Sequence, residues 1–205
     1  MYNHKMNADG CDDEPHDGGG STAPSQDELL DKLENVSLSP TEHQRIKDLV
    51  NRDLTEIKGY DRRYLSVGAG GTTGAATRRK IVYELLDGRT DPPAVAFRLE
   101  DYGLTPDEIR LWARAFDILC GRATHIVAVI EDFDGGYVWE MGLLFAPPYR
   151  EKAWILKRKY DDPQTEREKY ENGMAASHVE LLLTGPRCFG WADTDDLRDS
   201  VSEIP

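Results

Sequence analysis

The chain has 205 residues, with 38 Asp and Glu against 25 Lys and Arg, for a net charge of −13. That length holds one core of roughly 150 residues with a tail or small accessory element, and a negative field of this size argues against binding along a polynucleotide backbone. The longest apolar runs, HIVAVI and VELLL, fall far below the ~20 residues of a membrane span, and the widely spaced Cys11, Cys120 and Cys188 suggest neither a disulfide framework nor a zinc site.

The expectation is a soluble cytoplasmic protein with no membrane partner. Its acidic surplus is spread from DDEPHD through LEDYG and EDFD to DTDDLRD, as suits a halophilic cytoplasm. Residues 1–26 are rich in Asp, Gly, Ser and Pro and nearly devoid of apolar side chains, which predicts a disordered acidic tail. Residues 27–60 read as a helical extension. Within it Ser39, Pro40 and Glu42 form a helix start with a capping box, and Ile46, Leu49, Val50, Leu54 and Ile57 recur at helical spacing.

Residues 61–205 alternate strand and helix signals. Tyr64–Val67 reads as a first strand running into GAGGTTG, with a helix from about Ala75 to Leu86 and a second strand over Pro93–Leu99. Thr105, Pro106 and Glu108 repeat the capping pattern ahead of a helix to about Cys120, and Thr124–Ile130 is the third strand. A helix over Gly136–Phe145, a strand over Lys152–Lys157, a polar loop, a helix near Gly173–Leu183, a strand over Cys188–Trp191 and a helix from Asp195 complete the chain. Such βαβα alternation predicts an α/β domain of flavodoxin-like, doubly wound architecture, with five parallel strands covered on both faces.

In that strand order ligands bind outside the carboxyl ends of the first and third strands. Gly68, Gly70, Gly71 and Gly74 follow the first, and Gly135 and Gly136 follow the third, so two side-chain-poor loops should face each other there. The first misses the GxGxxG fingerprint by one residue, yet its backbone N–H groups can approach a phosphate or sugar, with Thr72 and Thr73 adding hydroxyls. In the second, Asp134 and Glu140 lie six residues apart and point to one crevice, Glu140 in the first turns of a helix whose dipole favours its ionised form. Apolar Val138, Trp139, Met141 and Leu143 surround Glu140, and a carboxylate in such a run is costly unless it has a task. For Trp139 packing is the expected role, with stacking on a base as the alternative, shared by Tyr137. Asp117 either reaches over the crevice as proton donor or pairs with Arg114 or Arg122, and His125 reads as a satisfied core histidine.

The segment DGGYVWEMG resembles the D-x-G-x-x-x-E-x-G signature of the nucleoside 2-deoxyribosyltransferase-like superfamily. FDILCGRATHIVAVI and YLSVGAGG are similar to further runs of that family, so the resemblance spans about Tyr64 to Val201. It implies Glu140 as the nucleophile attacking an anomeric carbon, Asp134 as a ligand of sugar hydroxyls, Asp117 near the base and Tyr64 orienting the glutamate. It also implies Asn172 completing the site of a neighbouring copy, hence a homo-oligomer, and a nucleoside or nucleotide as small-molecule partner, with no metal and no cofactor. His125, Tyr137 and the N-terminal helices depart from the family pattern. Two alternatives remain open at this point: a TIR-like domain cleaving NAD with a helix-borne glutamate, and a nucleotide-sensing module without turnover.

Overall fold

The computed structural model describes residues 38–134, 137–144, 146–171, 173, 176–177, 179 and 185–205. Within them Ser39–Pro205 form one compact unit. The strands are β1 (Arg62–Gly68), β2 (Ala94–Phe97), β3 (His125–Ile130), β4 (Ala153–Arg158) and β5 (Cys188–Trp191). All pairings are parallel and the order is β2-β1-β3-β4-β5, a flavodoxin-like doubly wound sheet. The chain reverses its direction of winding at β1 and β3, which pair from Tyr64 opposite His125 to Gly68 opposite Val129.

The helices are α1 (Pro40–Asp48), α2 (Gly74–Asp87), α3 (Ile109–Arg122), α4 (Tyr137–Leu143), the single turn α5 (Pro147–Arg150), α6 (Pro163–Tyr170) and α7 (Thr194–Ser202). Strand alternation sends Leu65, Val67, Ile126, Ala128, Ile130 and Ile155 to one face, where Ala115, Phe116 and Leu119 of α3 cover them. Tyr64, Val127, Val129, Leu156 and Trp191 face the other way, under Val82 and Leu86 of α2 and Leu197 and Val201 of α7. Each leucine buried as fully as Leu54, Leu65 or Leu111 contributes about 1.5–3 kcal/mol.

The expected capping box is present: Glu42 N–H donates to Ser39 Oγ at 3.2 Å and Ser39 N–H to the Glu42 carboxylate at 2.7 Å. The expected single helix through Ile57 is not. After Asp48 the chain widens and then tightens, through a π-helical turn at Leu49–Asp53 and a 3₁₀ turn at Glu56–Gly59. These breaks drop Leu49, Leu54 and Ile57 into the same apolar cluster as Leu65 and Phe116, so this segment packs onto the sheet domain. Thr105 N–H does bond the Glu108 carboxylate, at 2.9 Å, but over a 3₁₀ turn at Pro106–Glu108, and α3 proper begins at Ile109.

The loop expected after β4 contains α6. Asp162 caps it, accepting from the Thr165 and Gln164 amides at 2.9 and 3.3 Å, and Pro163 occupies its first turn. The helix expected near Gly173–Leu183 falls mostly outside the described residues.

Candidate active site

At the carboxyl edge, β1 ends in Gly68 with φ +143°, where an added Cβ would come within 2.6 Å of the Val129 carbonyl oxygen. Only glycine closes β1 against β3 in this way. Gly71, at φ +81°, completes the turn, and Thr73 caps α2 by accepting from the Ala76 amide at 3.2 Å. Over this loop opens a cavity of about 750 Å³, bordered by Gly68, Gly70 and Gly71 from the first loop, Asp132 and Asp134 from the second, and Glu140 from α4. Arg79, Glu100, Leu104 and Trp112 complete much of its wall.

Five of the expected site residues therefore meet: Glu140, Asp134, Gly68, Gly70 and Gly71. Thr73 rather than Thr72 borders the cavity. Gly136, Asn172 and the Tyr137 side chain lie outside the described residues.

Tyr64 is a correction. It is completely buried, and its hydroxyl donates to the main-chain oxygen of Pro205 and accepts from Arg89 at 2.9 Å, at the amino end of the sheet. The reason is strand parity: Leu65 and Val67 share a cluster with Met141 and Leu144 beside Glu140, and Tyr64, one residue away, projects through the opposite face. Asp117 is absent from the cavity wall, and its exposed carboxylate accepts from the Tyr149 hydroxyl. Trp139, expected to pack, is 84% exposed. His125 is half-buried, its Nδ1 2.9 Å from Thr124 Oγ1, and burial, with Arg62, Arg89 and Arg187 nearby, lowers its pKa to about 4.

Glu140 is half-buried on α4, and burial pushes its pKa up to about 7, with Glu100 adding to the shift and Arg79 opposing it. The helix dipole favours the ionised form, but loss of hydration outweighs a dipole contribution confined to one turn. The carboxyl is thus poised at neutrality, able to hold or give up a proton.

Arg79 was missed in the sequence. It is 5% exposed, and its Nη1 donates to the Gly68 and Ala69 carbonyls at 2.7 and 3.3 Å, so it fixes the turn of the first loop. Its Nη2 bonds Glu100. Next to it, Arg78 turns the other way and forks onto Glu131, a 5% exposed carboxylate that also receives Arg158 at 2.8 Å. An ionisable residue directly after the apolar run HIVAVI was the available signal for Glu131. Among the described residues no group of three or more His, Cys, Asp or Glu could hold a metal ion, and no helix is long and apolar enough to cross a membrane.

Residues 21–185 match a family described as a family of unknown function, DUF8170. The chain belongs to that family. A crystal structure of a conserved protein from Enterococcus faecalis V583 is similar to this member at 12% identity and a TM-score of 0.46, covering 69% of this chain and 98% of the other. No curated protein matches it.

Proposed function

We propose that this protein cleaves or transfers at the N-glycosidic bond of a nucleoside or nucleotide, with Glu140 as nucleophile. The observation that supports it best is a carboxyl poised near pH 7 in the wall of a cavity of about 750 Å³, at the point where the winding of the sheet reverses. The ionised carboxylate attacks C1′ as the base departs through an oxocarbenium-like transition state, leaving a glycosyl ester that water or a second base resolves. Asp134, exposed on the second loop, is suited to accept from sugar hydroxyls. Arg79 holds the first loop in shape and keeps a positive charge near Glu140. The resemblance of DGGYVWEMG to the nucleoside 2-deoxyribosyltransferase-like superfamily supports the same assignment and, through Asn172, an oligomer.

Because the ionised form attacks, the rate should rise with pH through about 7. The test is chromatographic detection of free base after incubation with ribo- and deoxyribonucleosides, their monophosphates and NAD, using Glu140→Ala as control. Release that disappears in the variant supports the reading. Release that survives it sinks the nucleophile assignment.

A second reading, a sensor that binds in the same crevice without turnover, draws on the absence of Tyr64 and Asp117 from the cavity wall. It expects a ligand that raises the melting temperature and is recovered intact.

A further inference from the structure

We propose that the glycoside taken by this crevice carries no phosphate and has a base that is already positively charged, such as a pyridinium or an N-alkylated purine. The inference rests on the Glu140 reading and narrows it. Its first ground is charge: Glu100, Asp132, Asp134 and Glu140 border the cavity, and among the described residues lining it Arg79 is the one cation. Both terminal nitrogens of Arg79 are committed, to the Gly68 and Ala69 carbonyls and to Glu100. Thr73 Oγ1 accepts from the Ala76 amide and keeps its O–H, a single neutral donor. Against the loop amides and one hydroxyl, a phosphate entering here would meet a net negative set of described lining residues whose one guanidinium is already bonded, whereas a cation would be drawn in. Trp112, 39% exposed at the rim, adds an aromatic surface of the kind that attracts cations.

The second ground is the leaving group. A neutral purine or pyrimidine departs readily only if an acid protonates it. Asp117, the sequence's candidate acid, does not border the cavity and accepts from Tyr149 instead, while of the carboxyls that do border it Glu100 is engaged by Arg79 and Asp132 by the Asp134 amide. Glu140 cannot both attack as a carboxylate and donate a proton in the same step. A quaternised base needs no acid: a Glu140 oxygen forms the bond to C1′, the C1′–N bond breaks, and its electron pair neutralises the positive nitrogen. Water then cleaves the glycosyl ester, returning the carboxylate and releasing the free sugar and one proton.

The experiment compares kcat/KM for base release from nicotinamide riboside and 7-methylguanosine with that from guanosine and inosine, and from nicotinamide mononucleotide and NAD. The cationic nucleosides should lead the neutral ones by about 100-fold or more, the lower range of what a general acid supplies. They should also outrun the phosphorylated pyridinium compounds. Equal rates on neutral nucleosides, or faster release from the phosphorylated compounds, would overturn the inference and leave N-glycosidic cleavage standing. If nothing turns over, the Glu140 reading fails, and calorimetric titration with the same compounds decides the ligand class separately. Tighter binding of the cationic nucleosides than of guanosine, inosine and the phosphorylated compounds upholds it, and equal or weaker binding overturns it.

Discussion

The two ends of the sheet are built from the same strands and behave as opposites. At the amino end, side chains close the structure: Tyr64, His125 and Trp154 neighbour one another across three strands, and Arg89 donates to Tyr64, Val201 and Ile204. At the carboxyl end, glycines keep the backbone bare, and charged groups from separate elements converge on one cavity. One strand, β1, supplies both, with Tyr64 near its start and Gly68 at its end. Polar groups at the first end are matched with one another, while at the second end Glu140 is left short of solvation. An end that completes its own bonding serves stability, and an end that leaves a carboxyl poised serves chemistry.

The harshest way to break this contrast is Gly68→Ala, which forces a side chain against the Val129 carbonyl at a φ that L-residues avoid. It should cost about 2–3 kcal/mol in denaturant unfolding and distort the cavity as well. Tyr64→Phe tests the other end: losing the bonds to Pro205 and Arg89 should cost about 1–2 kcal/mol. Catalysis, measured as kcat/KM for any substrate found, should stay unchanged by it. A large activity loss at full stability would return Tyr64 to the site.

Acid and base should separate the ends further. Glu140 has a folded pKa of about 7 against the usual 4.5, so the folded state holds its proton more tightly. Its contribution is complete below pH 4.5 and is lost as pH rises through 7. Glu140→Gln should therefore raise the melting temperature at pH 8 relative to the parent and leave it nearly unchanged at pH 4.5. His125 works in the opposite sense, lowered from 6.5 to about 4, so its contribution is present above pH 6.5 and fades as pH falls through 4. A parent stability curve that His125→Asn flattens between those two values would confirm that sign. The smallest effect belongs to Trp139→Ala: at 84% exposure it should change stability by less than about 0.5 kcal/mol.

The parallel sheet was legible because its evidence is local. HIVAVI is an uninterrupted apolar run, and each glycine loop sits directly after a strand. Glu140 and Asp134 were legible for the same reason, six residues apart on one loop and helix. Arg79, Glu100 and Trp112 reach the cavity from three different elements, and nothing in their neighbours announces that convergence. Tyr64 was misplaced because a motif gives neither where along its strand a residue falls, here four residues before the cavity end of β1, nor which face of the strand it uses. Helix α6 was overlooked for its lack of an apolar stripe, although Asp162 and Pro163 had marked its start.

Arg78 and Arg79 leave α2 about 100° apart around its axis, one gripping Glu131 beyond β3 and the other gripping Glu100 beyond β2. They act as a pair of stays on a mast: rolling the helix toward either carboxylate slackens the opposite one. α2 is thereby held in azimuth, and because Arg79 also holds the Gly68 and Ala69 carbonyls, the torsional freedom left to the first loop lies between Gly70 and Thr73.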